Sequence, residues 1–258
     1  MPKRRLKILH ITTLFFMLYP ALSSADEVFT GVPSIRVSVD HSDGGRQSDR
    51  QMRSLLTALN SEGCHAIVNK TSNQAPAQLY FDPTPVSNNK LEDVGYRLIA
   101  RAITPEGKSS IRGAILVHAS TGIDELTSLQ GQRIAFVSKN SPTGYQEPVK
   151  LLFDAGVKDR WDTFFYVGNH VGAISMLLHG DTDVAVVAEP LAQRWAEYNG
   201  LSVVAVSDEV ETGGWWIHNS VPNKSIRNCA RALENLNRSN LKALPAWIGG
   251  FKNVFSPG

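Results

Sequence analysis

The sequence predicts an α/β protein built as a two-lobed clamp, each lobe a mostly parallel sheet flanked by helices and the two joined by a two-strand hinge. Three observations predict it. Short β-rich runs alternate with amphipathic helical stretches along the chain, the pattern of strands covered by intervening helices. Residues 120–207 form a self-contained succession of strand–helix units, whereas 26–119 and 208–258 are each incomplete alone. Apolar strands near 114–119 and 203–208 stand where the chain passes from one part to the other. The economical arrangement is one lobe from both flanks, 26–119 plus 208–258, and one from 120–207, an architecture that closes by hinge motion.

The first segment is read apart from the fold. Lys3, Arg4, Arg5 and Lys7 precede an apolar run over 8–22, and Ser23-Ser24-Ala25 places small residues at a cleavage site. That order is a secretory signal peptide, residues 1–25, cleaved after Ala25. No cysteine follows the apolar run, so no lipid anchor is expected. The whole chain has 26 basic and 24 acidic residues. Losing the four basic residues of the signal leaves 22 against 24 and a net charge of −2. Nothing in that balance calls for a nucleic acid or a membrane surface as partner. The 233 residues that remain are ample for a buried core.

Residues 34–39 alternate at period two and predict a strand; 47–62 carry Met52, Leu55, Leu56 and Leu59 on one face, then Gly63, and predict a helix. Strands follow at 64–68, 78–81, 96–103, 111–119 and 133–137. Helix 145–155, strand 163–167, helix 170–178, strand 183–187 and helix 189–198 continue the alternation. Strands at 201–206 and 215–218 and helices at 225–236 and 241–249 complete it. Trp215-Trp216 is read as core, given the area an indole buries, with a cleft-lining role as the alternative. Cys64 and Cys229 are either one long-range bridge, as export allows, or two buried thiols; the sequence leaves both open.

Three loops carry chemistry. Val137 to Pro148 lies between a strand and a helix, and Pro148 is tolerated only near a helix start. The Ser141 and Thr143 hydroxyls and the backbone N–H groups around Gly144 are thereby placed at the positive end of a helix, which suits an anion. Gly168-Asn169-His170 follows the next strand, and its imidazole can donate to an anionic oxygen. Asp183 to Glu189 is a buried strand delivering a carboxylate to its C-terminal end, the edge at which α/β sheets bind ligands. Each alone is an ordinary capped turn; all three sit at the C-terminal ends of strands in one lobe and should converge.

Ser128-Leu-Gln-Gly-Gln-Arg-Ile-Ala-Phe-Val137, the Ser141-Pro-Thr-Gly-Tyr145 loop, Gly168-Asn-His170 and Gly180-Asp-Thr-Asp-Val-Ala185 resemble the second lobe of the phosphate/phosphite/phosphonate ABC-transporter substrate-binding proteins. The resemblance implies a type 2 periplasmic-binding-protein clamshell and a ligand oxyanion held by Ser141, Thr143, the Gly144 backbone, His170 and Glu189, with Tyr145 closing the loop. Pro142 stands where the family's loop offers another hydroxyl. In lobe one the candidates are His41 or Asp43 and the stretch from Tyr80 to Thr84. The implied protein is periplasmic and not an enzyme, acts as a monomer without a cofactor, and binds a small-molecule anion for a membrane permease. The alternative partner is a signalling protein, a sensor kinase or cyclase. No Gly-x-Ser-x-Gly elbow, His-Glu-x-x-His motif, P-loop or zinc-ligand spacing occurs in the chain.

Overall fold

A computed structural model describes residues 34–39, 49–69, 77–88, 90–157 and 164–256. The signal segment and the lobe-one candidates His41 and Asp43 lie outside the described residues. The elements run β1 (Ile35–Val39), α1 (Asp49–Ser61), β2 (Ala66–Val68), β3 (Leu79–Asp82), β4 (Tyr96–Ile103), β5 (Ser110–Ile111), β6 (Gly113–His118), β7 (Ile134–Phe136) and α2 (Glu147–Asp154). They continue β8 (Phe164–Tyr166), α3 (His170–Leu178), β9 (Val184–Ala188), α4 (Glu189–Asn199), β10 (Leu201–Val206), β11 (Val210–Glu211), β12 (Gly214–His218), α5 (Asn223–Glu234) and β13 (Gly250–Asn253).

Two sheets organise them. One has the order β13-β4-β12-β3-β1-β2, the other β10-β6-β9-β7-β8, and β5 and β11 form a short ribbon. The strands followed by helices pair in parallel, β1 with β2 and β3 and β7 with β8 and β9. β12 pairs antiparallel with β3 and β4, β13 with β4, and β6 with β9 and β10. The sheets are therefore mixed rather than mostly parallel. Strands that carry the chain out of one sheet and back into the other enter against the direction of the βα units.

Burial follows the strand period. Ile35, Val37 and Val39 are buried while Arg36 and Ser38 are half-buried. β9 is buried on both faces, with Val184 and Val186 in one core and Ala185 and Val187 in the other. Such a strand reads as a continuous apolar run because both faces are covered. Trp215 and Trp216 are fully buried, Trp215 packing 5.4 Å from Phe81, so the tryptophan pair is core. Cys64 and Cys229 form a disulfide, with Cα atoms 4.4 Å apart. It ties the turn after α1 to α5, and so joins the two flanks of the chain.

Two elements differ from the sequence reading. β6 and β10, expected at the hinge, pair as neighbours inside the second sheet. That sheet thus takes residues 113–206, beginning before the expected boundary at 119. The chain crosses between the sheets at the β5–β11 ribbon, just beyond the point where Gly113 N–H donates to Ser207 Oγ at 2.9 Å and Ser207 N–H to Gly113 O at 2.8 Å. The expected helix over 241–249 is one tight turn, Leu241–Ala243, followed by β13, which pairs with β4. Pro245 cannot continue a helix. Gly249 serves close approach, since a Cβ there would stand 2.5 Å from Pro105 Cα.

Candidate functional site

β9, β7 and β8 are adjacent and parallel, so the loops after them leave from one edge of the second sheet. These are the loops singled out by sequence. Gly168 N–H donates to Val137 O at 2.8 Å, and Ala188 N–H donates to His170 Nδ1 at 3.1 Å. Hydrogen bonds therefore join the loop after β8 to the ends of β7 and β9.

The turn after β7 is a π turn over Pro142–Gln146, which runs into α2. Gln146 N–H reaches Ser141 O at 3.0 Å, and Glu147 N–H reaches Pro142 O. Pro148 has no N–H to donate to Thr143 O, and that carbonyl closes instead on Gly113, where a Cβ would stand 2.4 Å away. Wide turns of this kind recur at functional sites. Ser141 caps the turn, its Oγ accepting from Gly144 N–H at 2.9 Å. Gly144 is required by packing: a Cβ would lie 2.4 Å from Val137 Cγ2. Tyr145 is half-buried, its ring 5.1 Å from that of Phe136 and 5.6 Å from that of Tyr166. Thr143 is 2% exposed, and its Oγ1 has no hydrogen-bond partner among the described residues. A buried hydroxyl without a partner costs about 1–3 kcal/mol, and an acceptor oxygen supplied by a ligand would remove that cost.

At the start of α3, Asn169 caps the helix by accepting from Gly172 N–H at 2.7 Å. His170 is 1% exposed, with Nδ1 fixed by the Ala188 N–H. That bond sets Nδ1 as the acceptor, so the neutral ring carries its proton on Nε2. Asn169 and His170 line a cavity of about 510 Å³, to which Gln51 of α1 and the segment after α5 also contribute. The π turn does not line that cavity.

Glu189 opens α4, where the helix dipole favours an acid. Its carboxylate is held by Arg112 in a two-pronged pair, both contacts 2.8 Å, and accepts a third bond from Gln193 at 3.0 Å. Glu189 lines a smaller crevice of about 90 Å³ beside the β5–β11 crossover, not the cavity of His170. Sequence reasoning passed over Arg112, since an arginine between two strands carries no motif. In the first sheet, Asp82 accepts from Thr84 N–H at 2.8 Å, and Phe81 is core.

The family described as the periplasmic substrate-binding protein of the phosphonate ABC transporter matches residues 65–255 of the chain. No curated protein sequence matches. Among solved structures, a binding protein component of an ABC phosphonate transporter from Pseudomonas aeruginosa superposes with a TM-score of 0.59 at 14% identity, covering 86% of this chain and 81% of that one. PhnD1 from Prochlorococcus marinus, in complex with methylphosphonate, gives 0.55 at 14% identity over 86% and 93%. A Xanthomonas citri protein bound to ATP gives 0.55 at 12% identity over 86% and 91%. At such identities the likeness is one of fold, and the fold is the two-lobed type 2 clamshell.

Proposed function

Because the chain belongs to the family of periplasmic phosphonate-binding proteins of ABC transporters, whose members bind small molecules for a membrane permease and are not enzymes, we propose that it captures a phosphonate-like oxyanion between its lobes. Ser141, Thr143, the Gly144 backbone, Tyr145 and His170 hold the oxyanion, while Glu189, fixed by Arg112, faces the crevice beside the crossover and stands outside that set. The chain works in the periplasm as a monomer, after its signal is cleaved behind Ala25, and hands the closed form to a permease.

The observation that carries this reading is Thr143 Oγ1, buried without a hydrogen-bond partner among the described residues, in a helix-opening turn beside the loop of His170. Backbone N–H groups at a helix start and a free hydroxyl favour an anion without needing a lysine. Closure follows if the ligand touches both lobes only in the shut form, so that binding shifts an existing equilibrium. The lobes are the two sheets with their helices, hinged at the β5–β11 crossover.

Thermal unfolding against phosphate, phosphite, methylphosphonate, sulfonates and amino acids tests the proposal. A ligand at about 100 times its Kd adds about 2.7 kcal/mol to stability. The expected result is a raised Tm with methylphosphonate or another phosphorus oxyanion, abolished in Thr143→Val, which keeps the side-chain shape without the hydroxyl. A panel in which no phosphorus oxyanion raises the Tm overturns it.

A further inference from the structure

The cavity of His170 and Asn169 holds three cations that the oxyanion site does not use. Arg194 on α4 and Arg238 and Lys242 in the segment after α5 line it together. All three are exposed, and among the described residues none forms an ion pair or side-chain hydrogen bond. Other arginines form ion pairs: Arg112 with Glu189, Arg133 with Asp183 and Arg101 with Glu211. Among the described residues no aspartate or glutamate lines the cavity. Glu106 stands in the adjoining crevice of about 150 Å³, which Arg194 and Arg238 also reach, without an ion pair to either. Leu244, Pro245, Ile248 and Val171 supply an apolar wall beside the cations.

Size and charge together narrow what fits. About 510 Å³ lies within the ~300–1,000 Å³ range of pockets that enclose an organic ligand, and is larger than one inorganic oxyanion needs. Three like charges around one space repel one another until an anion enters, and the described lining offers no carboxylate to an ammonium group. The cations also come from both sides, since α4 packs on the second sheet while the segment after α5 leads into β13 of the first. An anion seated among them draws the two sides together.

We infer that the ligand is an organic phosphonate carrying a second acidic group, its phosphonate at the oxyanion site and the second acid among Arg194, Arg238 and Lys242. The inference rests on the oxyanion reading above and adds the chemistry of the ligand's other end. It sets the chain apart from a receptor for aminoalkylphosphonates, whose ammonium would face three positive charges.

Three three-carbon phosphonates separate the cases: carboxyethylphosphonate, propylphosphonate and aminopropylphosphonate, titrated calorimetrically into the mature chain at low ionic strength. The expected order is carboxyethyl over propyl by at least about tenfold, as charge-assisted pairs to arginine imply, with aminopropyl weakest. In Arg238→Gln and Arg194→Gln the carboxyethyl-to-propyl ratio falls toward one. Both side chains are exposed, and an unchanged thermal unfolding midpoint without ligand verifies the fold. Equal binding of carboxyethyl and propyl, or tighter binding of aminopropyl, overturns this inference and leaves the oxyanion site standing. No binding by any of the three overturns the oxyanion reading and this inference with it.

Discussion

At the residue scale the site depends on groups whose roles lie in what they leave open. Gly144 leaves room for Val137, Gly113 leaves room for Thr143 O, and Thr143 leaves a buried hydroxyl unspent. Gly144→Ala therefore drives a methyl into Val137, at about 1–3 kcal/mol for overpacking a tight core. The expected outcome is a lowered denaturant midpoint, since the added methyl would also stand 2.5 Å from Val137 Cβ. A midpoint unchanged in Gly144→Ala would contradict the contact. The sequence singled out Ser141, Thr143 and His170 only jointly: each loop alone is an ordinary capped turn, and it is their shared place at the C-terminal ends of strands in one lobe that suggests a site. It could not make Arg112, Arg194, Arg238 or Lys242 legible: their positions matter only through residues 77 or more places away, or through a cavity that exists once the chain is folded.

At the element scale, periodicity identified nearly every strand and helix, and α3 and β10 run over the residues it predicted. It failed where a local pattern served a distant contact. Residues 241–249 carry apolar spacing suited to a helix, yet Pro245 stops it and β13 completes a sheet edge against β4. The mixed pairing was likewise beyond a local reading, because strand direction is a property of pairs. One long-range tie between elements has a definite pH signature. Arg133 at the start of β7 grips Asp183 before β9 through Nε and Nη2, and its side-chain hydrogen bonds hold the Asp183 carboxyl below its ordinary value of 3.8. A depressed carboxylate stabilises the fold above the unfolded value, and that stability is lost as pH falls through the folded one. The stability difference between the native chain and Asp183→Asn is thus expected to be full at about pH 7 and to vanish toward about pH 2. A difference that is constant across urea titrations at both ends would contradict the pairing. Because both side chains are largely exposed, the difference also shrinks with added salt.

At the scale of the whole molecule, two sheets share one chain that crosses between them twice, and the Cys64–Cys229 bridge fixes the flanks to each other across 165 residues. A loop of that length loses enough unfolded-state freedom for the bridge to contribute about 2–5 kcal/mol. The bridge lies wholly on the first-sheet side, joining the turn after α1 to α5, and does not span the crossover. The proposed closure assigns its motion to the β5–β11 ribbon, where two residue pairs join the strands. The sequence suggested a middle flanked by two incomplete segments, but the extent of the second sheet, which takes in β6 and β10, is set by pairing partners that no local pattern reveals.

On the proposed function, an oxyanion is held between the two lobes and closes them. Small-angle X-ray scattering of the mature chain with and without saturating methylphosphonate tests it most directly. A compact chain of this length has a radius of gyration of about 17 Å, and an open clamp lies above that value. The account predicts that methylphosphonate lowers the radius toward it in the native chain and leaves Thr143→Val unchanged. A radius that stays the same in the native chain, at a concentration where calorimetry shows the site filled, would contradict a ligand held between closing lobes.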